Sequence, residues 1–187
     1  ARSAVQGGAY VEGEALIRAF FAQEPTALEQ AAACQDLSLA FAQQGMVDSS
    51  LKYAQRNISL QTEAPHPDTT IWAKGYDLMA FLHLQKGEAS KARESIERAH
   101  SLREAFFDPT DLELGYGANT LYIVLDGLGE ARAAEQAAQQ AFRILNAHLP
   151  KGHPHLAIIA NNLSVARADQ GDPYAAREYL QQAIETN

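Results

Sequence analysis

Apolar and small residues return every three or four positions through most of this chain, in stretches separated by short polar segments that contain glycine or proline. That spacing places the apolar residues on one face of an α-helix, and the period-two alternation of half-buried strands is nearly absent. The stretches are themselves periodic. Gly45, Gly87, Gly129 and Gly171 follow one another at intervals of 42 residues, and the surrounding positions keep phase with them. Eight residues before each glycine stand Leu37, Met79, Leu121 and Leu163; five after stand Ser50, Ala92, Ala134 and Ala176; twelve after stand Asn57, Ala99, Ala141 and Ala183. Large apolar residues recur where one helix inserts into its neighbour, and small ones where two helices approach closely. The repeating unit is therefore a helix A, a glycine turn and a helix B.

The periodicity predicts A helices over 27–44, 69–86, 110–128 and 155–170, and B helices over 47–61, 88–104, 130–147 and 173–185. The B-to-A connections "EAPHPD", "FDPTD" and "LPKGHP" each carry a proline, which ends one helix and precedes the next. Upstream, "GEALIRAFFAQEPT" repeats the B-helix spacing at Ala15, Ala19 and Ala22. The expectation is a single helical domain over 1–187, with repeats at about 26–66, 67–108, 109–150 and 151–187 and a partial repeat over 1–25.

Composition narrows the function classes. Hydrophobic residues make up 47% and aromatics 8%, and 15 basic residues against 23 acidic ones give a net charge of −8. No run gathers lysine and arginine into the stripe that phosphate recognition needs, so nucleic acid is not an expected partner. No apolar segment reaches the 18 residues of a membrane span, and no membrane partner is expected. Cys34 is the single cysteine, which rules out an intrachain disulfide and a cysteine-based metal site; the reading is a buried residue in a reducing, cytoplasmic chain. The six histidines form no helical His-x-x-x-His or His-Glu-x-x-His pair, and neither a phosphate loop nor a Gly-x-Ser-x-Gly elbow occurs. No catalytic residue, metal or cofactor is assigned, and an enzyme or small-ligand pocket is the least favoured alternative.

The order "HP", "NNL", "A", "QG" and "AA…Y" in the last unit, with "HPDTT" at 66–70 and the weaker "DPTD" at 108–111, resembles the tetratricopeptide repeats, specifically the 42-residue kinesin-light-chain variety. The resemblance covers about residues 10 to 187. It departs at Ser50 and Asn57, which replace alanines, and at Arg167, where an aromatic is usual. It implies an all-α, right-handed superhelical solenoid of antiparallel helix pairs, with about four full repeats and a concave wall made by the A helices. Ten residues before each glycine, that wall carries a polar column of Gln35, Asp77, Asn119 and Asn161; six before runs an apolar column of Leu39, Phe81, Ile123 and Val165. Lys74 and Tyr116 fall at its edge.

Carboxamides offer a donor and an acceptor to a peptide backbone, while apolar residues take its side chains. The resemblance implies that Asn161 and Asn162 line a peptide groove, and A helices about 10 Å apart would read about nine to twelve residues of an extended partner at about 3.3 Å each. The same asparagines can instead bond a neighbouring helix and fix register, and the apolar column can equally be core. The expected function is a protein-interaction scaffold that binds a peptide segment of a partner protein. The alternative is a regulatory or self-assembly module of a longer chain, because the last helix is apolar over more than a third of its circumference at Tyr174, Ala175, Ala176, Tyr179, Leu180, Ala183 and Ile184.

Overall fold

A computed structural model of the chain describes residues 19, 20, 22, 23, 25–169 and 181, and all regular structure among them is helical. Seven helices are complete: α1 Ala27–Gln43, α2 Val47–Glu63, α3 Thr69–Gln85, α4 Ala89–Phe106, α5 Leu112–Gly127, α6 Ala131–His148 and α7 Pro154–Asp169. Each begins and ends within two residues of the range expected from the periodicity. Gly171, the final B helix with its possible self-association surface, and most of the upstream partial repeat lie outside the described residues. By packing, the chain divides into two compact units, Ala1–Ala99 and His100–Asn187, with the division inside α4.

The A-to-B turns have one construction. Gly45, Gly87 and Gly129 have φ of +72°, +72° and +77°, the left-handed region that L side chains rarely adopt. The glycine N–H donates to the carbonyl three residues back, at Ala42, Leu84 and Asp126. The next N–H donates to the carbonyl five back, at Phe41, His83 and Leu125. This is the double hydrogen bond of a Schellman stop, which satisfies carbonyls that a helix end would otherwise orphan. A side-chain contact accompanies it. At the first turn Met46 packs on the cluster containing Phe41. At the second the same two positions hold an ion pair, His83 Nδ1 to Glu88 Oε2 at 2.7 Å. The His83 hydrogen bond, then the Lys91 contact, hold the Glu88 carboxyl below its ordinary range. The stabilisation from that depressed value is present above the ordinary carboxylate pKa and fades as pH falls through the lowered one.

The A helices begin with side-chain caps. Thr26 and Glu29 form a reciprocal capping box on α1, Asp68 accepts from the Ile71 N–H at the start of α3, and Asp111 accepts from the Glu113 N–H at the start of α5. The helices α2 and α6 have no side-chain cap, because the chain enters them directly from the glycine turn.

In the first unit α1 packs on α2 through Leu37, Ala40 and Phe41, with Tyr53 stacked on Phe41 at 5.5 Å between ring centroids. Cys34 lies in a second cluster with Ala31 and Leu60, and burial pushes its thiol up to about 11, against a smaller opposing pull from Arg56. It is therefore neutral and inert at physiological pH. Ser50, one of the two departures from alanine, is fully buried and answered by Ser38: each hydroxyl donates to the other residue's carbonyl at 2.7 Å.

Asn57, the other departure, is also fully buried, and its amide donates to Gln35 Oε1 at 2.9 Å and to the Ile71 carbonyl at 3.1 Å. Gly75 on α3 makes room for it, since a Cβ there would come within 2.6 Å of Asn57 Nδ2.

The second unit repeats this exchange with other residues. Arg103, 2% exposed, lies against Gly117, and Leu145 against Gly115; a Cβ at either glycine would collide with them. Around them Leu145, Leu156, Ile159 and Leu163 are buried among the alanines of α6, each burial contributing about 1.5–3 kcal/mol.

Alanine has about 1 kcal/mol more helix propensity than glycine, so Gly75→Ala would stabilise an ordinary helix. Here the doubly bonded Asn57 cannot swing away, and overpacking of about 1–3 kcal/mol should win. Urea denaturation should show Gly75→Ala to be destabilising in the native background and stabilising in an Asn57→Ala background.

Candidate functional site

The polar column divides into committed and uncommitted members. In the first unit Gln35 is committed: its carbonyl accepts from Asn57 and its amide reaches the Lys74 carbonyl at 3.5 Å, tying α1 to α2 and α3. Asp77 is 8% exposed. Phe81 and Leu39 are half-buried, and Lys74 is exposed.

In the second unit the adjacent asparagines of α7 separate. Asn162 Nδ2 donates to Asn119 Oδ1 on α5 at 3.0 Å, so this pair joins the two A helices. Asn161, one position and 100° earlier on the same helix, is exposed.

Asn161 is surrounded by hydrocarbon on the A-helix faces. Ile123 on α5 and Ile158 and Val165 on α7 are 38%, 51% and 41% exposed, and all three are β-branched and stiff. Ile158 belongs to neither column expected from the sequence, although it continues the line of Lys74 and Tyr116. At the edge, Tyr116 meets His155 edge-on at 5.2 Å, and His155 meets His153 likewise at 5.2 Å. The His155 N–H donates to His153 Nδ1 at 3.2 Å, which fixes the chain as it enters α7. The face therefore combines a free carboxamide, three exposed aliphatic groups and an aromatic edge, and those central side chains carry no charge. Among the described residues no group of three or more His, Cys, Asp and Glu is placed to hold a metal ion, and no helix is long and apolar enough to cross a membrane.

A scan against protein-family models and a search of curated proteins find no match. Solved structures do match. BtubC (BKLC) from P. vanneervenii aligns over 100% of this chain and 74% of its own, at 17% identity and a TM-score of 0.80. The Podosopora anserina kinesin light chain with nearly identical TPR-like repeats aligns over 99% and 90%, at 17% identity and a TM-score of 0.73. The fold is that of the tetratricopeptide repeat. The apo form of RapI is similar in the same way, over 94% of this chain and 62% of its own, at 15% identity and a TM-score of 0.80. In tetratricopeptide-repeat terms, α1/α2, α3/α4 and α5/α6 are three helix pairs, and α7 is the A helix of a fourth.

The split between the two asparagines has a measurable consequence. Replacing either by alanine gains the same helix propensity, so the difference between the variants isolates the Asn162–Asn119 hydrogen bond. Asn162→Ala should be less stable than Asn161→Ala by about 1 kcal/mol in urea denaturation.

Proposed function

We propose that this chain is a protein-interaction scaffold that holds an extended peptide segment of a partner against its A-helix faces. The observation that carries the reading is the exposed cluster of Ile123, Ile158 and Val165 around the uncommitted Asn161. Rigid aliphatic side chains on helices lose little entropy when covered, and a free carboxamide can both donate to and accept from a peptide backbone. The fold supports the same reading, because helical-repeat arrays create extended binding surfaces. The chemistry is that of binding and not of catalysis: amide and hydrocarbon groups supply neither a nucleophile nor a proton-transfer group at neutral pH. Asn119 and Asn162 serve the site by fixing the spacing of α5 and α7. Gln35 does the corresponding work between α1 and α3.

The test uses Ile158→Ser with Asn161→Ala, both exposed positions. Immobilised wild-type chain should capture a partner whose contact maps to a segment of about nine to twelve residues. The double variant should retain its helical spectrum and melting temperature and bind that segment at least tenfold more weakly. Unchanged affinity of the double variant would overturn the reading.

A further inference from the structure

A second concavity lies in the first unit, on a different side of its helices from the polar column. Three stripes at helical spacing converge on it: Asp48, Leu51, Lys52 and Gln55 from α2; Tyr76, Met79 and His83 from α3; and Lys91, Glu94, Ser95 and Arg98 from α4. Its volume is about 680 Å³, inside the range of small-molecule sites. Half-buried Leu51, Tyr76 and Met79 supply apolar wall.

The charges sort by partner. Asp48 is taken by Lys86 at 2.9 Å, and Lys91 and His83 by Glu88 at 3.2 and 2.7 Å. Lys52 and Arg98, both exposed and on opposite helices, have no ion-pair partner among the described residues, and Glu94 is the one unpaired carboxylate in the lining. The cleft therefore has a surplus positive charge in a chain whose net charge is −8.

The repeat architecture does not require these residues. Forty-two positions on, Lys52, Tyr76, Met79 and Arg98 correspond to Glu94, Ala118, Leu121 and Gln140, so the combination belongs to this unit alone.

We infer that this cleft binds a small amphipathic anion: a ring or branched hydrocarbon, seated on Leu51, Tyr76 and Met79, that carries one carboxylate or phosphate held between Lys52 and Arg98. A guanidinium matches either oxyanion in a two-point hydrogen bond, with the lysine as a second point charge. The site is independent of the peptide-binding face, which uses other helix surfaces.

Amide-resolved NMR titration of the whole chain tests it with four probes: phenylacetate, phenyl phosphate, phenylacetamide and acetate. One of the two aromatic anions should shift the amides around Leu51, Tyr76, Met79 and Arg98 saturably, at least tenfold more tightly than phenylacetamide or acetate; which anion is tighter identifies the acid group. Lys52→Gln and Arg98→Gln should each weaken that binding at least fivefold. Glu94→Gln should tighten it. Phenylacetamide binding as well as phenylacetate, acetate binding as well as either aromatic anion, or no saturable shift with any probe would overturn the inference.

Discussion

The structure depends on a backbone conformation that only glycine adopts freely. Gly45, Gly87 and Gly129 each hold φ near +75° after an A helix, and the two hydrogen bonds they permit reverse the chain within three residues. That reversal pairs α1 with α2 and α5 with α6, and it keeps everything else in phase at 42 residues. A Cβ at any of the three would meet no atom, so the requirement is conformational and not steric. The residue after each glycine is free to vary. Met46 meets Phe41's cluster at the first turn, and Glu88 meets His83 at the second.

Variation inside the pairs obeys a volume rule. Where the B helix gains a long or polar side chain, the A helix it packs against gives up its Cβ, as Asn57 with Gly75 and Arg103 with Gly117. Where it gains a hydroxyl, the facing helix supplies another, as Ser50 with Ser38. These exchanges keep buried polar groups bonded, which matters because an unpaired one costs about 1–3 kcal/mol. They also draw Gln35 into the packing, so the amides of the A helices have two occupations: Gln35, Asn119 and Asn162 hold helices together, and Asn161 stands free.

Helix positions are legible in the sequence because they are set locally. Glycine at a left-handed stop and proline in the connection between helices act through their own backbones, and they place each helix within two residues. The outward or inward fate of an amide is set at a distance. Asn161 and Asn162 differ by 100° of helix phase, and only the position of Asn119 on α5 decides which is used. Gln35 reads as a wall residue in the sequence because its partner, Asn57, is 22 positions away on α2. Gly75, Gly115 and Gly117 carry a signal that the 42-residue phase obscures: three glycines inside A helices, where each lowers helix propensity and only a close neighbour repays it. The charges of the α2–α3–α4 cleft are likewise invisible in the sequence, since they converge from three helices that are separate along the chain.

Everything else in the fold stands on the turn, and stereochemistry at one atom tests it most directly. Gly129, exposed and at φ +77°, can be replaced by L-alanine or D-alanine through peptide ligation, giving two chains of identical composition. D-alanine favours positive φ, so that chain should be at least as stable as the glycine form in urea denaturation, and the L-alanine chain should lose about 1–2 kcal/mol. Equal stability of the two would contradict a turn held by its left-handed conformation.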